Sequence, residues 1–217
     1  MLKNIIFDYN GVLRYTKDIP LYDYLKILFP NHDLKHYKTR RLREYIESPL
    51  IKRTFDVFDL GFCDVKKMVK NVSIILGEDP KVVAAIFKAV IDPNNNVPML
   101  DVINFTKELY QQGYNLYIFS NLNKPERDAA PKEIDFSIFK DTLFSCDVGF
   151  LKPNLDYYIY AVKKWGIKPQ ESLFIDDNPD NLNNFYLMNG YVFLFDENHA
   201  NESLMKLRQY IKEISNK

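Results

Sequence analysis

Cysteine is scarce in this 217-residue sequence, which holds two, Cys63 and Cys146. They form neither a CxxC pair nor a metal-ligand spacing, which argues against a thiolate metal centre and a disulfide framework. A charge excess is also missing, because 29 Lys+Arg balance 29 Asp+Glu to a formal net charge of zero. A general nucleic-acid binder would carry a basic surplus. No long hydrophobic run is present either. The most apolar helix-like stretch, Val82 to Ile91, is about ten residues long and contains Lys88, whereas a membrane span needs about twenty. The amino-terminal apolar run is halted by Asp8 before it reaches the length of a secretory core. These absences predict a soluble, cytoplasmic protein with reduced thiols and no nucleic-acid or membrane partner. Internal repeats and low-complexity tracts are absent as well.

Aromatic residues are abundant, with 15 Tyr and 16 Phe, and are read as a composition bias with core packing as their default role. The length suits one domain with a large insertion better than two unrelated domains. Leu2 to Phe7 is a short apolar run before the turn-rich Asp8-Tyr9-Asn10-Gly11, and reads as a buried strand. From Arg14 to Asn96 the apolar spacing is helical and no convincing strand is visible. Asp64 and Asp79 stand at capping positions, and Pro80 at a first-turn position. The breakers of Ile91-Asp92-Pro93-Asn94-Asn95-Asn96-Val97-Pro98 end this block.

Beyond it the pattern alternates. Helices are expected at Met99 to Gln112, Phe136 to Phe139, Asn154 to Trp165, Asn181 to Met188 and Glu202 to Ile214. Strands are expected at Tyr114 to Phe119, Leu143 to Val148, Ser172 to Ile175 and Tyr191 to Phe195. This spacing predicts an α/β fold with a doubly wound, Rossmann-like parallel sheet. Residues 1–13 and 97–217 would form the core, and 14–96 an inserted all-helical cap.

In open parallel sheets, ligands bind beyond the carboxyl ends of the strands. Three predicted strand ends carry reactive groups: Asp8 and Asn10, Ser120 and Asn121, Asp176 and Asp177. Lys152 lies in Gly149-Phe150-Leu151-Lys152-Pro153, between a strand and a helix. Carboxylates can hold a hard divalent cation. A lysine and a hydroxyl can hold an oxyanion, and one carboxylate can be a nucleophile. Together these are the parts needed for phosphoryl transfer.

Four segments in order resemble the motifs of the haloacid dehalogenase-like (HAD) hydrolase superfamily. They are Ile5-Ile6-Phe7-Asp8-Tyr9-Asn10-Gly11-Val12-Leu13, Leu116-Tyr117-Ile118-Phe119-Ser120-Asn121, Lys152-Pro153, and Phe174-Ile175-Asp176-Asp177-Asn178-Pro179-Asp180-Asn181. The motif variants look most like the helical-cap division that holds sugar-phosphate phosphatases and the phosphatase domain of epoxide hydrolases. The resemblance implies a Mg²⁺-dependent phosphatase of a small phosphorylated metabolite. Asp8 would be the nucleophile that forms an aspartyl-phosphate. Mg²⁺ would bind Asp8, the main-chain carbonyl of Asn10, and Asp177, with Asp176 close by or through water. Ser120, Asn121 and Lys152 would hold the phosphoryl oxygens, and Asn181 would orient the acidic loop. Dehalogenation is disfavoured by Asp176-Asp177, since dehalogenases of the superfamily need no metal and resemble Ser-Ser-Asn there.

One position departs from that pattern. Family phosphatases carry Asp two residues after the nucleophile, as the acid that protonates the leaving oxygen, and here the residue is Asn10. A carboxamide exchanges no proton near neutral pH, and such help is worth roughly 10²–10⁴ in rate. A mutase, which shuttles protons, is disfavoured for the same reason. Four accounts stay open: a substrate with a good leaving group, a proton donor elsewhere such as the cap, a weak or inactive phospho-ligand-binding module, or an Asp-to-Asn change made to trap substrate.

The basic run Lys38, Arg40, Arg41, Arg43 reads as a solvated helix face balanced by Glu44 and Glu47. Its alternative role is attraction of an anionic substrate. His32, His36 and His199 are assigned no role, and Cys63 and Cys146 read as small core residues. Neither the substrate's identity nor an oligomeric state is written in a motif.

Overall fold

The structure is a computed structural model that describes residues 1–92 and 94–215. Pro93, within the expected breaker run, lies outside the described residues. The chain runs β1 (Asn4–Phe7), β2 (Arg14–Thr16), α1 (Leu21–Leu28), α2 (Leu42–Glu47), α3 (Pro49–Asp59), α4 (Val65–Leu76), α5 (Pro80–Ile91) and β3 (Asn96–Pro98). It continues through α6 (Leu100–Gln111), β4 (Asn115–Ser120), α7 (Lys124–Asp128), β5 (Phe139–Phe144), α8 (Ser145–Val148), α9 (Leu155–Trp165), β6 (Ser172–Asp176), α10 (Pro179–Leu187), β7 (Tyr191–Leu194) and α11 (Ala200–Ser215). Short 3₁₀ turns sit at Lys35–Tyr37, Phe136–Ile138, Pro169–Glu171 and Glu197–His199.

Five strands form one parallel sheet in the order β5-β4-β1-β6-β7. Alternation along β1 explains its two coverings. Ile5 and Phe7 pack with Val102, Ile103, Leu207 and Ile211 of α6 and α11, while Ile6 packs with Tyr157, Tyr158 and Phe185 of α9 and α10. All four β1 residues are buried, as expected for a strand covered on both faces. Fully burying one such side chain is worth about 1.5–3 kcal/mol. The doubly wound parallel sheet is therefore as expected from the alternating pattern.

The helices of the insertion bury a separate apolar cluster. Its centre is α5, where Val82, Val83, Ile86, Phe87 and Val90 are all buried. Asp64 caps α4 by accepting from Lys67 N at 2.7 Å, and Asp79 caps α5 by accepting from Lys81 N at 2.8 Å.

Two local expectations are overturned. The stretch from Arg14 to Asn96 was expected to hold no strand, yet β2 and β3 pair as an antiparallel ribbon, Arg14 with Pro98 and Thr16 with Asn96. Its two halves are three residues each and eighty apart, so no local apolar alternation announces them. The strand expected at Leu143 to Val148 lies earlier, at Phe139–Phe144, and Ser145–Val148 is helical. β5 is an edge strand containing Lys140, Asp141 and Thr142, so its polar first half hides its start.

The basic run also differs from expectation. Lys38 follows a 3₁₀ turn, Arg41 precedes α2 and binds Asp18, and only Arg43 lies on the helix. Arg43 reaches Glu47 at 3.4 Å and Glu197, which belongs to the sheet-bearing core. The run forms no single solvated face.

Candidate active site

Sheet register sets the site. Phe7 is level with Ile118 on β4 and Ile175 on β6. The next residues, Asp8, Phe119 and Asp176, therefore emerge side by side at the carboxyl edge, with Ser120 one step further on. Carboxylate oxygens of Asp8, Asp176 and Asp177 lie within 4.8 Å of one another. Lys152 enters from the loop before α9 and is almost wholly buried. Its Nζ contacts Asp8 Oδ1 at 3.0 Å and donates to Asp176 Oδ2 at 2.6 Å and to the Phe119 carbonyl at 3.1 Å.

Neighbouring groups fix these positions. Asn121 clamps the lysine's backbone, since Lys152 N donates to Asn121 Oδ1 at 2.8 Å and Asn121 Nδ2 donates to the Lys152 carbonyl at 2.9 Å. Asn181, buried on α10, donates to Asp176 Oδ1 and Oδ2 at 3.0 and 3.2 Å. The Tyr158 hydroxyl donates to the Asn181 carbonyl at 2.6 Å. Gly11 has φ +78°, and a Cβ there would stand 2.3 Å from Asp177 Cγ. Only glycine permits both the backbone turn and this approach.

The electrostatics follow from burial. Asp8 is pushed up to about 8, chiefly by desolvation. Lys152 and a Ser120 hydrogen bond oppose the shift, and Asp176 and Asp177 add to it. Asp177 is raised to about 6 by desolvation, then by Asp176 and Glu197. Burial weakens the Lys152 ammonium, but Asp176 and Asp8 outweigh it and hold the lysine above its ordinary value. Three carboxylates thus face one ammonium.

The structure brings Asp8, Ser120, Asn121, Lys152, Asp176, Asp177 and Asn181 to one edge. Asn10 is there too, in a cleft of about 300 Å³ walled by the inserted helices and the sheet edge. Its Oδ1 is buried without a hydrogen-bond partner among the described residues. A larger hollow of about 840 Å³, beside Val65, Val69 and Ile74, gathers no comparable set of polar groups.

Sequence reasoning missed a buried polar chain beside this cleft. Arg14 is fully buried and its Nη2 donates to Glu126 Oε1 at 2.9 Å. Asn123 Nδ2 donates to Glu126 Oε2 and, at 3.0 Å, to Asp59 Oδ1. One signal was available. Asn123-x-x-Glu126 has the spacing of a helix-start capping box, and Asn123 Oδ1 does accept from Glu126 N at 3.0 Å.

The family model of the haloacid dehalogenase-like hydrolases matches residues 2–182. The chain belongs to that family. Solved structures of similar fold agree with the membership. A predicted HAD-like family hydrolase from Porphyromonas gingivalis is 21% identical with TM-score 0.69, covering 95% of this chain and 98% of its own. A HAD family enzyme from Bacteroides thetaiotaomicron is 16% identical with TM-score 0.69, covering 90% and 94%. That structure is of an Asp-to-Ala variant in complex with magnesium and inorganic phosphate. An L-2-haloacid dehalogenase from Xanthobacter autotrophicus, with chloropropionic acid covalently bound, is 18% identical with TM-score 0.59, covering 90% and 78%. This HAD-like chain therefore shares its fold with members of unlike chemistry, and its own residues must separate the reactions. No helix among its described residues is long and apolar enough to cross a membrane.

Proposed function

We propose that this chain is a Mg²⁺-dependent phosphatase of a small phosphorylated metabolite, acting through an aspartyl-phosphate on Asp8. The observation that carries the reading is the cluster of Asp8, Asp176 and Asp177 around the Lys152 ammonium. Its donors fit a hard divalent cation. All are oxygens and they converge within 4.8 Å, and once Asp8 yields its proton on metal binding, three carboxylates against one ammonium leave room for two positive charges. Asp8, Asp177 and the Asn10 carbonyl would hold the ion, with Asp176 close by. Bound there, it would neutralise phosphoryl charge and aim the phosphorus at Asp8.

The chain's own groups do the rest. Asp8 Oδ attacks phosphorus. The Lys152 ammonium draws a phosphoryl oxygen and offsets charge that builds up on it. Ser120 and the Asn121 main chain hold the other oxygens. Asn181, through two hydrogen bonds to Asp176, keeps that carboxylate turned toward the site. The cap covers the cleft and limits water around the reacting atoms.

Dehalogenation fits less well. A haloacid brings its own carboxylate, and Asp176 and Asp177 would repel it beside Asp8 unless a cation stood between. The magnesium and phosphate bound by the Bacteroides enzyme support the same choice.

The test is phosphate release from p-nitrophenyl phosphate and a panel of sugar phosphates. Release is expected with Mg²⁺, lost with EDTA, and abolished in Asp8→Ala. Turnover that survives in Asp8→Ala overturns the assignment. Mg²⁺-dependent binding of these esters with no product favours a binding module instead.

A further inference from the structure

We propose that Asp59, at the carboxyl end of α3 in the cap, is the general acid and base of this site, in the role that Asn10 cannot fill. The inference rests on the phosphatase reading and adds the group that moves its proton.

Placement comes first. Asp59 lines the same cleft as Asp8, Asn10 and Asn121. Although it belongs to the cap, it is fastened to the core. Asn123 Nδ2 donates to its Oδ1 at 3.0 Å, and Ser145 Oγ donates to its carbonyl at 2.6 Å. Asn123 lies two residues beyond Asn121, on the loop that presents Ser120 to the phosphoryl group. The carboxyl is therefore fixed beside the phosphate-holding loop.

The surroundings of Asp59 suit a proton carrier. The Asn123 amide is shared with Glu126, whose other oxygen takes the buried Arg14 guanidinium. Glu126 thus has a cation, while Asp59 forms no ion pair among the described residues. Desolvation, then repulsion from Glu126, keeps the Asp59 proton on well above the ordinary carboxylate range, against the pull of the Asn123 hydrogen bond. Asp56 on the same helix adds a smaller repulsion. The Cys63 and Cys146 thiols lie near enough to feel the charge of this carboxyl, each as a minor effect. A carboxyl that burial and a neighbouring carboxylate push toward its protonated form, set in a reaction cleft, is suited to act as a general acid. Other carboxylates of the cleft are less suited. Asp56 faces Lys52, Glu47 is exposed and bound to Arg43, and Glu126 is bound to Arg14.

The proton bookkeeping closes. In the first half, Asp8 Oδ forms a bond to phosphorus as the phosphorus–oxygen bond to the leaving group breaks. The Asp59 proton passes to that oxygen, giving a neutral alcohol and the aspartyl-phosphate. In the second half, the Asp59 carboxylate takes a proton from a water whose oxygen attacks phosphorus. The bond to Asp8 breaks, phosphate leaves, and both side chains return to their starting states.

The experiment compares Asp59→Asn, Asn10→Asp and their double variant on an alkyl or sugar phosphate and on acetyl phosphate, whose leaving group needs no proton. Asparagine keeps the oxygen that accepts from Asn123. Asp59→Asn is expected to lower alkyl-ester turnover by about 10²–10⁴ and acetyl-phosphate turnover by less than about tenfold, and to remove the alkaline limb of the pH profile. In the Asp59→Asn background, Asn10→Asp is expected to restore most of the lost alkyl-ester turnover, because it returns a carboxyl to the cleft. If Asp59→Asn does not fold, Asn123→Ala, which frees the carboxyl without removing it, is expected to show the same leaving-group selectivity. Equal losses on both substrates, or no loss on the alkyl ester, overturn the role of Asp59 while leaving the phosphatase reading intact. Absence of turnover in the unsubstituted protein overturns that reading and this inference with it.

Discussion

At the scale of single residues, the site is a buried charge balance that is not closed by the protein alone. Lys152 answers Asp8 and Asp176, and Asp177 forms no ion pair among the described residues. This has a consequence for stability. Asp8 holds its proton up to about 8 in the folded chain against an ordinary value of 3.8. Its contribution to stability is therefore full at low pH and is lost as pH rises from about 4 to about 8. Asp177 acts in the same direction through about 6. In EDTA, the thermal midpoint is expected to fall between about pH 5 and pH 8, and Asp8→Asn is expected to flatten the fall. Mg²⁺ should restore the midpoint by binding the folded form alone. A midpoint that rises over that range contradicts the account. Lys152→Met removes the ammonium held by two buried carboxylates, and is expected to cost about 3–5 kcal/mol of unfolding free energy, less at low pH where Asp8 can take up a proton.

At the scale of elements, the ribbon of β2 and β3 closes the insertion onto the sheet. Asn96 is its knot. Its Nδ2 donates to the carbonyls of Val90 and Asp92 at 2.9 Å each, and its Oδ1 accepts from Arg14 and from Thr16. Asn96→Ala leaves the Arg14 guanidinium and the end of α5 short of partners in a buried place. A loss of about 2–4 kcal/mol by denaturant unfolding is expected from several such bonds, along with faster proteolysis at the ribbon. What was legible in the sequence follows the same division. Asp8, Ser120 and Asp176 each end a short apolar run, so local pattern was enough to place them on one sheet edge. β2 and β3 were not legible, because Arg14 and Asn96 gain meaning only when they meet across eighty residues. Asp59 and Asn123 are as far apart in kind: one ends a cap helix, the other starts a core helix, and neither carries a mark of the contact. β5 was misplaced because an edge strand tolerates Lys140 and Asp141, and its apolar half alone stood out.

At the scale of the whole molecule, the inserted helices and the carboxyl edge of the sheet share the walls of the cleft. Arg43 of the cap lines that cleft and pairs with Glu197 of the core. Arg43 and Lys52 are both cations of this lining, and Arg43, paired with Glu197, is proposed to draw a phosphorylated substrate on entry. Arg43→Ala is expected to raise KM about five- to tenfold, with kcat changed less, and to weaken the salt dependence of kcat/KM. An unchanged KM would put Arg43 outside substrate capture. The claim on which all of this depends is that Asp8 itself takes up the phosphoryl group. The most direct measurement is mass analysis of the protein quenched in acid soon after mixing with Mg²⁺ and acetyl phosphate. One added phosphoryl group is expected on the peptide that contains Asp8, and none in Asp8→Asn. Phosphate release without that label, or a label that persists in Asp8→Asn, would contradict the account.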